Sequence, residues 1–257
     1  MFPCLQVHFL QPGEQGAPMA AINVIRQKQA VHIISDGAFC DASGFVREIG
    51  PSAFVLPHLP AALAIRGPSH FMPFLVHRLS RECRSLDDLL AKIVPAALEV
   101  HISFPMTFGT LEHGAMEPDF DLVVVGWSKA RGGPASYLVS SHDRVVARGL
   151  TSNAWQMLEL PEVLIAPPIA EKQIAASGWS VPYSVESFRP DVDGIALIKA
   201  QRLSRRELDD RSGLRGQAYV VGGFVQITSV SAHGVRSEVP YWWPDQVGRR
   251  IEPQLNE

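Results

Sequence analysis

Asp36 is the residue whose place in the chain invites a chemical reading. It closes a run of β-branched residues, AVHIISD, and a glycine follows it. A carboxylate at the end of a buried-type strand can orient a nucleophile or an amine. The plainer alternative is a carboxylate satisfied by backbone N–H groups at a strand end. The other chemistry-bearing residues are scattered. Cys4, Cys40 and Cys83 are odd in number, widely spaced and without a C-x-x-C pair. Neither a zinc site nor a disulfide framework is implied, and each cysteine reads as a small buried hydrophobe in a reducing compartment. GWSKA at 126–130 lacks the second glycine of a nucleophile elbow and ends a strand with no helix after it. His70 and His77 are seven residues apart, two helical turns, whereas a helical ligand pair needs i, i+4. His113 with Glu112 and Glu117 is a polar loop cluster. The histidines therefore read as solvated or satisfied, and no metal is expected. The glycine pairs 132–133 and 222–223 lack the Walker lysine and the Rossmann spacing, so no phosphate loop and no cofactor are expected.

The elements that must carry these residues follow from period and punctuation. AAINVIRQ and AVHIISD flank the turn Lys28-Gln29 and read as a hairpin. A turn-rich stretch leads to a short strand around Ala53–Leu56 and to a third apolar strand, AALAIRG, at 61–67. The period then becomes helical. Phe71, Phe74, Leu75 and Leu79 mark one helix; Leu86, Leu89, Leu90, Ile93, Ala97 and Val100 mark a second, which Pro95 should kink or divide. Ser85 with Asp88 resembles a capping box. DLVVVGWSK and ASYLVSSH form another hairpin about Gly132-Gly133-Pro134; residues 143–185 are proline-rich and poorly periodic. A third long helix is expected from Asp191 to about Arg205, followed by a solvated loop at 207–216. AYVVGGFVQITSV and VRSEVPYWW, joined at His233-Gly234, make the last strand pair. Strands, two helices, strands, helix, strands, with no βαβ alternation, imply a mixed α+β layered domain.

Bulk properties bound the function. A chain of 257 residues, 46% hydrophobic, with a formal net charge of −3 and no basic block, is long enough for a sizeable core and does not indicate a nucleic-acid partner. No apolar run reaches the roughly 18 residues of a membrane span. Residues 1–18 lack the positive n-region of a secretory signal. GEQGAPM can be encoded with an AAGGAG run before the ATG of Met19, so translation is expected to start at Met19. The expected organisation is an extension outside the domain at 1–18, one domain at 19–243 and a polar tail at 244–257.

The segments AAINVIRQKQAVHIISDG, AALAIRG and VGGFVQITSVSAHGV together resemble the proteasome-like branch of the N-terminal-nucleophile hydrolases, over most of residues 19–243. The resemblance implies a four-layer αββα sandwich, two antiparallel sheets flanked by helices. In that family an N-terminal Thr supplies both the attacking hydroxyl and the amine that takes its proton. Aligned on Asp36, Ala20 holds that place, or Ala21 with a slip of one. The family's lysine falls near Ser52, with Arg47 the nearest cation. Its supporting Asp and Ser fall at Ala218 and Val221, leaving only Gly222 and Gly223 of that motif. Cys4 would be N-terminal only after clipping, far from the family spacing. The vestigial positions are thus Ala20, Asp36, Ser52, Ala218, Val221, Gly222 and Gly223, and the implication leans away from an enzyme. The C-terminal WWPDQVGRRIEP resembles proteins of phage-related gene clusters.

These readings converge on a non-catalytic structural or interaction protein, cytoplasmic or virion-associated if phage-encoded, with a protein partner or a homo-oligomer and neither nucleic acid nor membrane. The alternatives are an active amide hydrolase with an unrecognised nucleophile and an accessory factor of a bacterial protease complex. Tyr241, Trp242 and Trp243 are the interface candidates. Adjacent tryptophans point to opposite faces of a strand, so one should be exposed or lie in an interface.

Overall fold

A computed structural model of the chain describes residues 8–9, 20–41, 43–108, 120–147, 150–209 and 215–254. In chain order the first half contains strands β1 (His8–Phe9), β2 (Ile22–Arg26), β3 (Ala30–Asp36), β4 (Ala38–Cys40), β5 (Val46–Ile49), β6 (Ala53–Leu56) and β7 (Ala61–Arg66), then helices α1 (Met72–Glu82) and α2 (Leu86–Phe108). Six strands follow: β8 (Asp121–Ser128), β9 (Gly133–Ser140), β10 (Arg144–Ala147), β11 (Leu150–Ser152), β12 (Met157–Glu159) and β13 (Val163–Ile165). Helices α3 (Glu171–Ser177) and α4 (Pro190–Arg202) precede β14 (Arg206–Asp209), β15 (Arg215–Ala218), β16 (Phe224–Ser231) and β17 (Gly234–Trp242).

Two sheets organise the core. One has the order β1-β13-β2-β3-β16-β17, the other β12-β9-β8-β7-β6. The alternation of side chains along a strand distributes β3 between two layers. Ile33 and Val31 turn inward with Ile22 and Val24 to meet Ala62, Ala64, Val123 and Val125 of the second sheet. Ile34 turns outward, with Ile25, Val225 and Ile227, under Leu197 and Ile198 of α4. On the far side Leu75, Leu79, Leu89 and Ile93 of α1 and α2 cover Leu63, Leu122 and Val124. Each such fully buried aliphatic side chain stabilises the fold by roughly 1.5–3 kcal/mol.

The helix boundaries have local causes. Pro190 and the acidic Asp191 and Asp193 occupy the first turn of α4, where a missing N–H costs nothing and negative charge is favoured. At the start of α2, Ser85 Oγ accepts the Asp88 N–H at 3.1 Å and Asp88 accepts the Arg84 N–H at 3.0 Å. The helix then runs through Pro95 as one 23-residue element, so the expected division does not occur.

The expected α+β four-layer αββα sandwich is corrected. Helices do cover the outer faces of both large sheets, but strand outweighs helix, 40% to 27%, and the molecule is more sheet-dominated than such a sandwich. The turn-rich segments supply the excess. They fold into three two-stranded ribbons outside the large sheets, β4-β5, β10-β11 and β14-β15. Nor is the first sheet purely antiparallel, because β1 joins β13 in parallel, with His8 opposite Leu164. The segment after Trp243 folds back onto the domain. Asp245 and Ile251 are anchored there, Ile251 at 3% exposure.

Candidate functional site

Several of the positions that the resemblance singles out lie together where β3 ends. Asp36 is fully buried, and its carboxylate joins two strands that flank it. One oxygen accepts the Ala21 N–H and the other the Gly222 N–H, both at 2.7 Å. Around it the backbone is closed as well. The Gly37 N–H donates to Gly222 O at 3.0 Å, and the Ser52 hydroxyl donates to the Asp36 carbonyl at 2.7 Å. Ala21, Asp36, Gly37, Ser52 and Gly222 therefore form one polar knot, and Gly223, whose polar groups turn to Asp245 and Trp243, adjoins it. Val221 and Ala218 adjoin it through the apolar cluster that also holds Ala21, but they bring no polar atom of their side chains to it. Ala20, next to Ala21, is buried as well, so both residues before β2 contribute only methyl groups here.

The electrostatics follow from burial. Desolvation pushes the Asp36 carboxyl up to about 8, against the pull of backbone N–H groups from Gly222 and Ala21. Cys40, at the end of β4, has its thiol near the Val220 carbonyl at 3.8 Å, and burial pushes that thiol up, away from the nucleophilic thiolate. Arg47 does not reach the knot; its guanidinium donates to Asp41 at 2.7 Å.

Glycine is required at Gly37. A Cβ there would lie 2.4 Å from the Phe224 ring. Gly37→Ala is expected to destabilise the fold by about 1–3 kcal/mol, read from the midpoint of urea unfolding, because the ring is itself fixed in the core. Phe224→Leu in the same background should recover part of the loss.

A second buried constellation stands behind the glycine pair. Arg202 of α4 binds both Asp245 oxygens, at 2.8 and 3.0 Å, and also donates to the Val221 carbonyl at 3.1 Å. Asp245 in turn accepts the Gly223 N–H at 2.8 Å. Trp243 lies against this pair, with the Arg202 guanidinium 4.6 Å from its ring centre and its backbone N–H donating to Gly223 O. Tyr241 stacks edge-on to Trp243 and carries Lys199 over its face at 4.1 Å. Trp242 points the other way, tilted on Phe224, and is 62% exposed. The three aromatic residues are thus split between a support for the knot and a surface.

Sequence reasoning missed the Arg202–Asp245 pair and the reciprocal amide pair of Asn23 and Gln201. The latter holds β2 to α4 with two 2.9 Å bonds, while Asn23 also accepts the Ala166 N–H. No local signal marks such pairs, since their members lie 43 and 178 residues apart. Cys4, His113, Glu112, Glu117, the expected start Met19 and the centre of the 207–216 loop lie outside the described residues. Among the described residues no group of three or more metal-ligating side chains assembles, and no helix is long and apolar enough to cross a membrane. Compared with known proteins, the chain matches no family model and no curated sequence.

Proposed function

We infer that the chain is a non-catalytic relative of the proteasome-like N-terminal-nucleophile hydrolases that serves as a structural or protein-interaction component. The observation that carries this reading is the state of Asp36. Its two carboxylate oxygens are committed to the Ala21 and Gly222 N–H groups. The positions aligned with the nucleophile, Ala20 and Ala21, offer it only methyl groups. A carboxyl group so placed ties three strand ends together. Acyl transfer by this family's route needs a hydroxyl or thiol beside a proton acceptor. Ser52, whose hydroxyl is part of the knot, is 0% exposed and donates to a backbone carbonyl. The interaction role rests on exposed apolar side chains at the end of β17, Val239 and Trp242, and a cytoplasmic setting, or a virion for a phage-encoded chain, suits it.

The test is covalent. Incubation of the full chain with a β-lactone, an epoxyketone and a fluorophosphonate, followed by intact mass measurement, is expected to leave the mass unchanged. Stoichiometric addition at any Ser, Thr or Cys overturns the reading in favour of an active hydrolase.

A further inference from the structure

The interaction role leaves the partner open, and the edge of the six-stranded sheet narrows it. Among the described residues β17 is the terminal strand of that sheet and pairs on one side only, with β16. The pairing fixes which of its backbone groups are free. The two-residue loop Ala232-His233 closes on the pair Ser231–Gly234, and the register continues through Val230–Val235, Ser229–Arg236, Thr228–Ser237 and Ile227–Glu238. In a hairpin of this length the closing pair exchanges hydrogen bonds, and bonded and non-bonded pairs then alternate. Gly234, Arg236 and Glu238 thus direct their N–H and C=O groups at β16. Val235 and Ser237 direct theirs away from the sheet, at the open edge.

The side chains on that edge are self-complementary. Arg236 and Glu238 stand on one face, close enough for an ion pair of 2.6 Å within the strand, and the Arg236 side chain is 77% exposed. Ser237, between them, turns to the other face, where its hydroxyl meets Thr228 and Gln226. An antiparallel pairing of β17 with a second β17 about a twofold axis through Ser237 sets Arg236 opposite the partner copy's Glu238, twice. These become non-bonded pairs, in which side chains approach most closely. The same register sets Val235 opposite the second copy's Val239, and lays the turn Ala232-His233 of one copy across Tyr241 and Trp242 of the other. Centring the axis on Val235 would set Arg236 opposite Gly234, and centring it on Val239 would set Glu238 opposite Pro240. Neither matches the charges. Long exposed edges are ordinarily blunted by lysine, by an early proline or by a β-bulge. Here Pro240 and the register shift in the β16 pairing both fall after Glu238, so Gly234–Glu238 is a regular edge, and Pro240 stands opposite Gly234 of the second copy.

We propose that β17 is a homodimerisation edge, joining two copies of the chain antiparallel about Ser237 into one continuous sheet. The pairing supplies the two backbone hydrogen bonds of the Ser237–Ser237 pair, further bonds from Val235, and two reciprocal ion pairs, and it covers Trp242. This names the partner for the interaction role above and rests on that reading for its function, but its test does not depend on the labelling result.

The experiment is a charge swap on the full chain, read by sedimentation equilibrium. The wild type is expected to be a concentration-dependent dimer. Arg236→Glu sets Glu against Glu at both reciprocal positions, Glu238→Arg sets Arg against Arg, and each is expected to weaken the dimer about tenfold or more. The double variant R236E/E238R restores both opposite-charge pairs and is expected to return the dimer to near the wild-type constant. Matching far-ultraviolet circular dichroism spectra and near-ultraviolet aromatic bands of the three variants exclude misfolding as the cause. A monomeric wild type, single variants that dimerise unchanged, or a double variant no better than the singles would each overturn the proposal.

Discussion

Replacing Asp36 by alanine is expected to cost about 2–6 kcal/mol of folding stability, since two buried N–H groups, of Ala21 and Gly222, each lose their acceptor. The isosteric Asp36→Asn tests the electrostatics. The folded carboxyl titrates near 8 because burial disfavours its charge, against 3.8 without that burial. Between those values the folded state holds a proton that the unfolded state has released. The Asp36 contribution is therefore fully present below about pH 4 and is lost as pH rises through 8. The stability of wild type relative to Asp36→Asn should fall by up to about 1.4 kcal/mol per pH unit across that window and flatten above it. The comparison with Asn matters because His32 has the opposite sign. Burial pushes His32 down to about 4 from 6.5, so its contribution is present above 6.5 and is lost as pH falls through 4. Its Nε2 faces Gln27 Oε1 at 2.9 Å and its Nδ1 faces Ser229 Oγ at 2.8 Å, partners that satisfy a neutral ring. In the wild type the two slopes oppose each other below pH 6.5, leaving the Asp36 loss visible alone from 6.5 to 8. Chemical denaturation at stepped pH checks this, and a difference curve that rises with pH would show an ionised Asp36 in the folded state.

What could be read in the sequence was what is local. The β2–β3 hairpin shows in its β-branched runs, and α4 shows in its apolar spacing after a proline. Asp36 is marked by its place at a strand end, and Asp36, Ser52 and Gly222 do meet in space. The departures have physical reasons. α3 buries none of its side chains, so it carries no apolar period to detect. Pro95 would divide a free helix, but α2 rests on a sheet that supplies Leu63 and Val124 beneath Leu89 and Ile93, and that packing outweighs one lost hydrogen bond. The ribbon strands are three or four residues long and interrupted by turns, too short for a period to declare itself, and their sum tips the balance toward sheet. Asn23 and Gln201 look like two ordinary polar residues until folding sets them amide to amide. Ala20 and Ala21 were plain in the sequence as small apolar residues before β2; their burial needed the fold.

Removing the Arg202 guanidinium should have an effect of similar size to the loss of Asp36, for a different reason. The Arg202 and Asp245 side chains are 3% and 7% exposed, so neither charge has water to fall back on. Arg202→Met keeps much of the volume and leaves Asp245 buried with the Gly223 N–H but without its bidentate partner. The expected cost is about 3–5 kcal/mol. Adding Asp245→Asn to the Arg202→Met variant removes the stranded charge and should return a substantial part of it. The double-mutant cycle then separates the pair's coupling from the packing of the stem. The loss should also spread along the chain. The pair presses on Trp243, and Trp243 fixes the end of β17 through Gly223. Loss of the pair should raise amide exchange at Gly223 and through the 244–251 segment before it is felt at Asp36, whose bonds to Ala21 and Gly222 do not pass through Arg202. A cost below about 1 kcal/mol would mean that water reaches the pair, as it does for surface ion pairs. Simultaneous exchange at Ala21 and Gly223 would mean that the knot and its support open as one unit.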